Sequence, residues 1–500
     1  MLRIVTLVFW AIIQLVLLCY LAFVPMYSTI IYPLIIILGV FLALIVLSDN
    51  SKLSTSKLSW ITIILAIPVI GALLYIIFGI GHMSNYRKRI LDNSKMRFDE
   101  NCIYRAKNEN VNVKQQALVD YLDHMDFSTT QMHYSGEIDT YTCGTVKYEQ
   151  MFKDIENAKT YIHLEYYIIK SGQLFDKFIP LLIKKVSEGV EVRILVDFLG
   201  ARTISKNTLK ELRDNGVQIE YFNEMKVTIL SKFSNFRDHR KIAVIDGNIA
   251  YTGGFNIGDE YIDLDPYYKH WEDFHIRISD SSAVQEYETL FAQSWFFETN
   301  ENLFKEKYYP SFDLDKMGRE TLIYPYGDGP DSIETFVRDM FVIAIMSAQK
   351  SICISTPYFI PDTVLYDAII MKAQSGIDIT LVTPGLPDKK IVKIATESYY
   401  YDLLKAGVKI HEYNGFVHAK KLLIDDDTAI VGTANFDMRS FNLSFEVCTL
   451  LLNGSVIQKI EDNFKEEVLD SKEISLEDVE NVSVFKALLQ VILKILAPLF

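Results

Sequence analysis

HRKIAVIDGNIAYTGGFN (239–256) and HAKKLLIDDDTAIVGTAN (418–435) carry the same polar residues at the same spacing inside otherwise apolar runs. In each a His is followed two residues on by a Lys and seven on by an Asp. A turn and an Asn complete the pattern at one shared offset (256 − 239 = 435 − 418 = 17). On an extended strand, residues i and i+2 point to the same face. His239 with Lys241, and His418 with Lys420, therefore each present an imidazole beside an ammonium. Such chemistry written twice predicts two half-sites that meet.

The residues before each motif repeat as well. ENAKTYIHLEYYII (156–169) matches MSAQKSICISTPYFI (346–360) as a helix end followed by a β-rich run. VSEGVEVRILVD (186–197) matches AQSGIDITLVTP (373–384), and LKELRDNGVQIEYFN (209–223) matches YDLLKAGVKIHEYN (401–414). In both later pairs a helix stops at Gly and feeds a strand. Helices alternating with strands predict an α/β class, with mixed, mainly parallel sheets flanked by helices. Two such lobes in tandem, 131–318 and 319–480, predict a pseudo-two-fold unit within one chain.

Two histidines and two lysines brought together suit attack on a phosphodiester. One neutral imidazole attacks phosphorus while the other, protonated, donates to the leaving alkoxide. Lys241, Lys420, Asn256 and Asn435 are the candidates to hold the phosphate oxygens. Glu446 and Asp273 are the candidate carboxylates that orient the imidazoles. Asp246 and Asp425 complete the candidate set. Their place at the ends of strands, in DGN and DDD, reads as holding turns or the opposing Lys rather than carrying protons. The other histidines read as structural or surface residues. No chelating motif is present, so no metal and no cofactor are expected.

Composition narrows the substrate. A formal charge of −14 over 500 residues argues against a general nucleic-acid binder, which needs a basic face. Five scattered cysteines without C-x-x-C suggest neither a disulfide framework nor a zinc site. Half the residues are hydrophobic, with the excess at the two ends. Uncharged segments 4–25, 30–48 and 58–79 each have the length of a spanning helix, giving a transmembrane region over 1–80. A basic linker (81–130) follows, with Arg87, Lys88, Arg89, Lys95 and Arg97 marking the cytoplasmic side. The catalytic lobes are accordingly expected on the cytoplasmic face of a multi-pass cell-membrane protein. SVFKALLQVILKILAPLF (483–500) places Lys486, Gln490 and Lys494 on one narrow helical face, as an interfacial helix would.

The paired motifs resemble the phospholipase D superfamily, and their context is similar to its bacterial membrane cardiolipin synthases. FRDHRKIAVIDGNIAYTGGFNIGDEY, GPDSIETFVRDMFVIAIMSAQKSICISTPYFIPD and GFVHAKKLLIDDDTAIVGTANFDMRSFNLSFEV carry the likeness, which covers about residues 58–500. It implies phosphatidyl transfer between two phosphatidylglycerol molecules, giving cardiolipin and glycerol through a phosphohistidine. Anionic phospholipid and the membrane are the implied partners, and nucleic acid is not. By family precedent His239 attacks and His418 moves protons; pseudo-symmetry alone leaves their order open. The chain departs from the family pattern at Glu272, where a basic residue is usual, and in carrying the extra apolar segment 4–25. Aromatic residues in STPYFIP and ESYYYDLL are expected to keep water from the intermediate. A hydrolytic phospholipase D, a transferase using another alcohol, and a membrane-anchored nuclease remain as alternatives.

Overall fold

The computed structural model describes residues 31–48, 54–75, 79, 112–124, 133–224, 236–312, 318–330 and 335–497. The chain divides into two compact units. The smaller gathers 1–82, 225–235 and 492–500. Its helix Ile31–Ser48 has no charged residue and leaves Leu34, Ile37, Leu38, Phe41, Leu44 and Leu47 more than half exposed. Segment 58–79, expected as one span, is not one helix. Helix Ser54–Ala66 ends and Pro68–Leu74 begins afresh, because Ile67 is non-helical (φ −135°, ψ 73°) and Pro68 has no N–H to continue the ladder. Helix 54–66 and the chain beyond Pro68 touch where Trp60 meets Tyr75 edge-on at 5.3 Å. Gly71 is required there, since a Cβ would lie 2.5 Å from the Ile63 carbonyl oxygen. Among the described residues no helix is long and apolar enough to cross a membrane. Segment 4–25 and the basic cluster 87–97 lie outside the described residues. The terminal segment forms the helix Val484–Leu496, with Val484 and Phe485 almost wholly exposed.

The larger unit holds both lobes. Its seven-stranded sheet runs Asp139–Tyr141, His275–Ser279, Ile249–Gly253, Lys241–Ile245, Tyr161–Tyr166, Glu191–Asp197, Gln218–Phe222. The second sheet repeats this order with Ser444–Leu452, Thr428–Gly432, Lys421–Ile424, Ser351–Ser355, Asp378–Pro384 and Lys409–Tyr413. The expectation of mainly parallel sheets is corrected. In the first sheet only the pairings of Glu191–Asp197 with its two neighbours are parallel. In the second, parallel pairing is confined to the two neighbours of Asp378–Pro384 and a short addition from the first lobe. The reason is local. Helical crossovers connect only three strands of each sheet (Tyr161–Tyr166, Glu191–Asp197 and Gln218–Phe222; Ser351–Ser355, Asp378–Pro384 and Lys409–Tyr413), whereas each His motif folds back on itself as a hairpin.

The lobes are not cleanly separated by sequence. His133–Ser135 pairs with Thr321–Ile323 in the second sheet, although it precedes every strand of the first. Helix Val284–Thr299 is buried along nearly its whole length between the sheets. Its Glu288 meets His163 of the first sheet at 2.9 Å, and its Tyr287 hydroxyl meets Thr449 of the second at 2.6 Å. The interface is thus made of core, which fixes the distance between the two motifs.

Candidate active site

Two strand exchanges build the site. Arg237–Asp238, just before His239, adds in parallel to Ser444–Phe445 at the start of a second-lobe strand. Trp271–Glu272 of the first lobe adds in parallel to Phe416–Val417, just before His418. The backbone continues both pairings: the His239 N–H donates to the Phe445 carbonyl (2.9 Å) and the His418 N–H to the Glu272 carbonyl (2.7 Å). The residue after each acceptor is an acid. Glu446 reaches His239 Nδ1 at 2.9 Å, and Asp273 reaches His418 Nδ1 at 2.7 Å. Each histidine is therefore held by a carboxylate from the other lobe, leaving its Nε2 for chemistry.

Each lysine is tied to its own histidine's backbone. Lys241 Nζ donates to the His239 carbonyl at 2.6 Å, and Lys420 Nζ makes the same bond to the His418 carbonyl. The two carboxylates are secured differently. Thr433 donates its hydroxyl to Glu446 Oε2 at 2.5 Å. The corresponding first-lobe residue is Gly254 (254 − 239 = 433 − 418 = 15), where a Cβ would lie 1.7 Å from Asp273 Oδ1. Asp273 instead accepts from the Phe274 N–H (2.8 Å) and the Trp271 indole (3.3 Å). The pair is two-fold in plan and unlike in support.

Electrostatics set the resting protonation. Burial pushes His239 down to about 4, Glu446 pulls the other way, and Lys241 adds to the depression. His418 is pushed down to about 3 by burial and then Lys420, against the pull of Asp273. Burial lowers Lys241 to about 8 and Lys420 to about 7, although nearby carboxylates oppose it. Burial alone would raise Glu446 and Asp273, but the facing histidines and lysines outweigh it and hold both below their ordinary values. Each lysine's field reaches the other lobe's histidine, so the half-sites share one pocket. Free of substrate, that pocket holds two neutral imidazoles beside two ionised carboxylates.

The remaining candidates fall into two groups. Asn256 has its amide engaged: Oδ1 accepts from the Ile168 N–H (3.0 Å) and Nδ2 donates to Tyr261 (2.8 Å). Tyr261 in turn stacks edge-on at 6.0 Å from the His418 ring. Asn435 donates to Asp437 at 3.3 Å, and its buried Oδ1 has no partner. Asp246 and Asp425, by contrast, bind backbone amides rather than either imidazole. Both adopt left-handed backbone (φ 53° and 56°), which Asp tolerates. Asp246 accepts from the N–H groups of Lys159, Thr160 and Tyr161 at 2.7–3.0 Å. Asp425 accepts from those of Gln349, Lys350 and Ser351, and from Lys114 Nζ. Each acid ties its hairpin to the start of the neighbouring strand. Asp425→Ala is expected to destabilise the fold by about 2–3 kcal/mol, since it strips charge-assisted partners from several amides. Urea unfolding would measure this, with turnover per folded molecule retained.

Sequence reasoning passed over Thr433, whose offset matches Gly254 and so hid as a variable position. It also gave no role to Asp388. Tyr358 donates to Asp388 at 2.5 Å. Tyr399 packs edge-on against Phe359 and Tyr366.

Comparison with known proteins bears on this pocket. Residues 151–295 and 341–468 match the family model described as the PLD-like domain of cardiolipin synthase. Residues 34–79 match the phospholipase D-nuclease N-terminal model. The chain is 35% identical to the major cardiolipin synthase of Bacillus subtilis strain 168, over 94% of this chain and 99% of that one. It is also 35% identical to a cardiolipin synthase of Alkalihalophilus pseudofirmus, over 92% of each. Among solved structures, a phosphatidylserine synthase of Haemophilus influenzae shares the fold, with TM-score 0.57 and 14% identity over 77% of this chain and 97% of that one.

Proposed function

Because the chain belongs to the phospholipase D-like cardiolipin synthase family and is a phosphatidyltransferase, we propose that it joins two phosphatidylglycerol molecules into cardiolipin, releasing glycerol. The reciprocal holding of His239 by Glu446 and His418 by Asp273 carries this reading. The Nε2 lone pair of His239 attacks phosphorus as the bond to the glycerol oxygen breaks. His418 supplies the proton that the glycerol alkoxide takes away. A second phosphatidylglycerol then loses its hydroxyl proton to His418, and its oxygen displaces His239 from phosphorus. Lys241 and Lys420 offset the charge on the non-bridging oxygens. The anionic phosphodiester also raises the affinity of His418 for the proton it must donate.

Glu446, held by Thr433, keeps the His239 ring in place for this attack. A lipid substrate also suits the chain's ends. Helix Ile31–Ser48 and helix Val484–Leu496 expose apolar residues in rows, as a hydrocarbon or interfacial surroundings would favour. We place the protein at the cell membrane on that ground, with the lobes on the cytoplasmic side from the basic cluster 87–97. Nucleic acid is not a substrate in this reading, given the charge of −14.

The test uses purified full-length protein in phosphatidylglycerol vesicles with a chelator present, products being read by mass spectrometry. Cardiolipin and glycerol in equal amounts are expected. Phosphatidic acid alone would make the enzyme a hydrolase and reject the transfer.

A further inference from the structure

A third acid lies near enough to the same pocket for its charge to be felt there, without serving either histidine. Asp388 lies in the loop GLPDKK (385–390), which follows the strand Asp378–Pro384. That loop is held at several points. The Gly385 N–H donates to the Tyr413 carbonyl, the Leu386 N–H to the Gly415 carbonyl, and the first-lobe Tyr267 hydroxyl to the Pro387 carbonyl (3.0 Å). Asp388 Oδ2 accepts from Tyr358 and has Lys389 at 3.8 Å. Its Oδ1 is shielded from solvent and has no partner. The charge on Asp388 is felt by Lys420 and by Tyr261, the ring that faces His418.

A buried carboxylate oxygen with nothing to accept is unfavourable unless a ligand completes it. Phosphate is no such ligand, because two anions repel. An ammonium headgroup is opposed by the nearby charges of Lys420 and Lys389. A neutral hydroxyl satisfies an acceptor-only oxygen without adding charge. We propose that Asp388 is the specificity residue for a polyol headgroup: Oδ1 accepts from a glycerol hydroxyl and so aims the neighbouring hydroxyl at the phosphorus beside His418. This rests on the phosphatidyl-transfer reading and names the alcohol that the reaction prefers.

The experiment lets two alcohols compete for one enzyme. Wild type, Asp388→Asn and Asp388→Ser, each full length, act on phosphatidylglycerol vesicles with deuterated glycerol and ethanol both added. Labelled phosphatidylglycerol and phosphatidylethanol are measured in the same tube, so any unfolded fraction cancels from their ratio. Loss of one charge-assisted hydrogen bond is expected to lower the glycerol-to-ethanol preference about 10-fold or more in both variants. An unchanged ratio in active variants would overturn the role of Asp388 and leave the transferase reading standing. Wild type that forms neither product would overturn both.

Discussion

His239→Ala is expected to lower phosphatidyl transfer by about 10⁴-fold or more, since covalent catalysis loses its nucleophile while the fold keeps its core. His418→Ala should be nearly as damaging with phosphatidylglycerol, whose glycerol alkoxide leaves only with a proton. The two variants part company on a substrate with an acidic phenol as leaving group. That phenolate departs unaided, so His418→Ala should regain the first step and accumulate a lipid-modified protein. His239→Ala should regain nothing. Intact-protein mass spectrometry of quenched reactions reads the adduct. An adduct in His239→Ala, absent in His418→Ala, would reverse the two roles. Glu446→Gln is a milder form of the same test, because the amide still fits Thr433 but no longer favours the imidazolium that forms during reaction.

The second large effect couples activity to stability in opposite directions. Lys420 is lowered from 10.5 to about 7, chiefly by burial. Between those values the unfolded chain binds more protons than the folded one, so stability rises with pH and the penalty is complete below about 7. His239, lowered from 6.5 to about 4, adds a further loss of stability as pH falls through that window. Lys420→Met removes the buried charge. It should raise Tm at pH 6–7 while abolishing transfer, as expected when a site is built for an anion that is not yet there. A lower Tm would show that the ammonium supports the apo fold after all. Turnover of the wild type should fall above about pH 7–8 as Lys420 and Lys241 discharge. Binding of a phosphodiester analogue should draw protons into the pocket, seen as a buffer-dependent heat in titration calorimetry.

Much of this pocket was legible from residues 239–256 and 418–435, because strand alternation and one repeated offset force His and Lys onto a common face. The repeats ahead of each motif also yielded the alternation of helix and strand in each lobe. Strand direction was less legible. A helix before a strand reads as a parallel crossover, yet the hairpin following each His reverses the chain, and short apolar runs carry no mark of direction. The break at Ile67 was written in Pro68 but was outweighed by an unbroken apolar run. The place of Asp246 and Asp425 at the strand ends pointed to turns, but the amides they bind at the start of the neighbouring strand were not legible. Asp388 carried no motif at all, and its orphaned oxygen exists only once the loop is folded.

The crossed pairing of histidines and carboxylates has an evolutionary corollary. A tandem duplication in which each copy supplied its own acid would let either copy decay or act alone. Here each half keeps its imidazole useful only through an acid in the other, so selection acts on both halves as one unit. A chain inactivated at His239 and another inactivated at His418 should not restore activity when co-expressed. Neither chain lends its intact half, since the Glu446 and Asp273 it would need to share are already committed within its own fold.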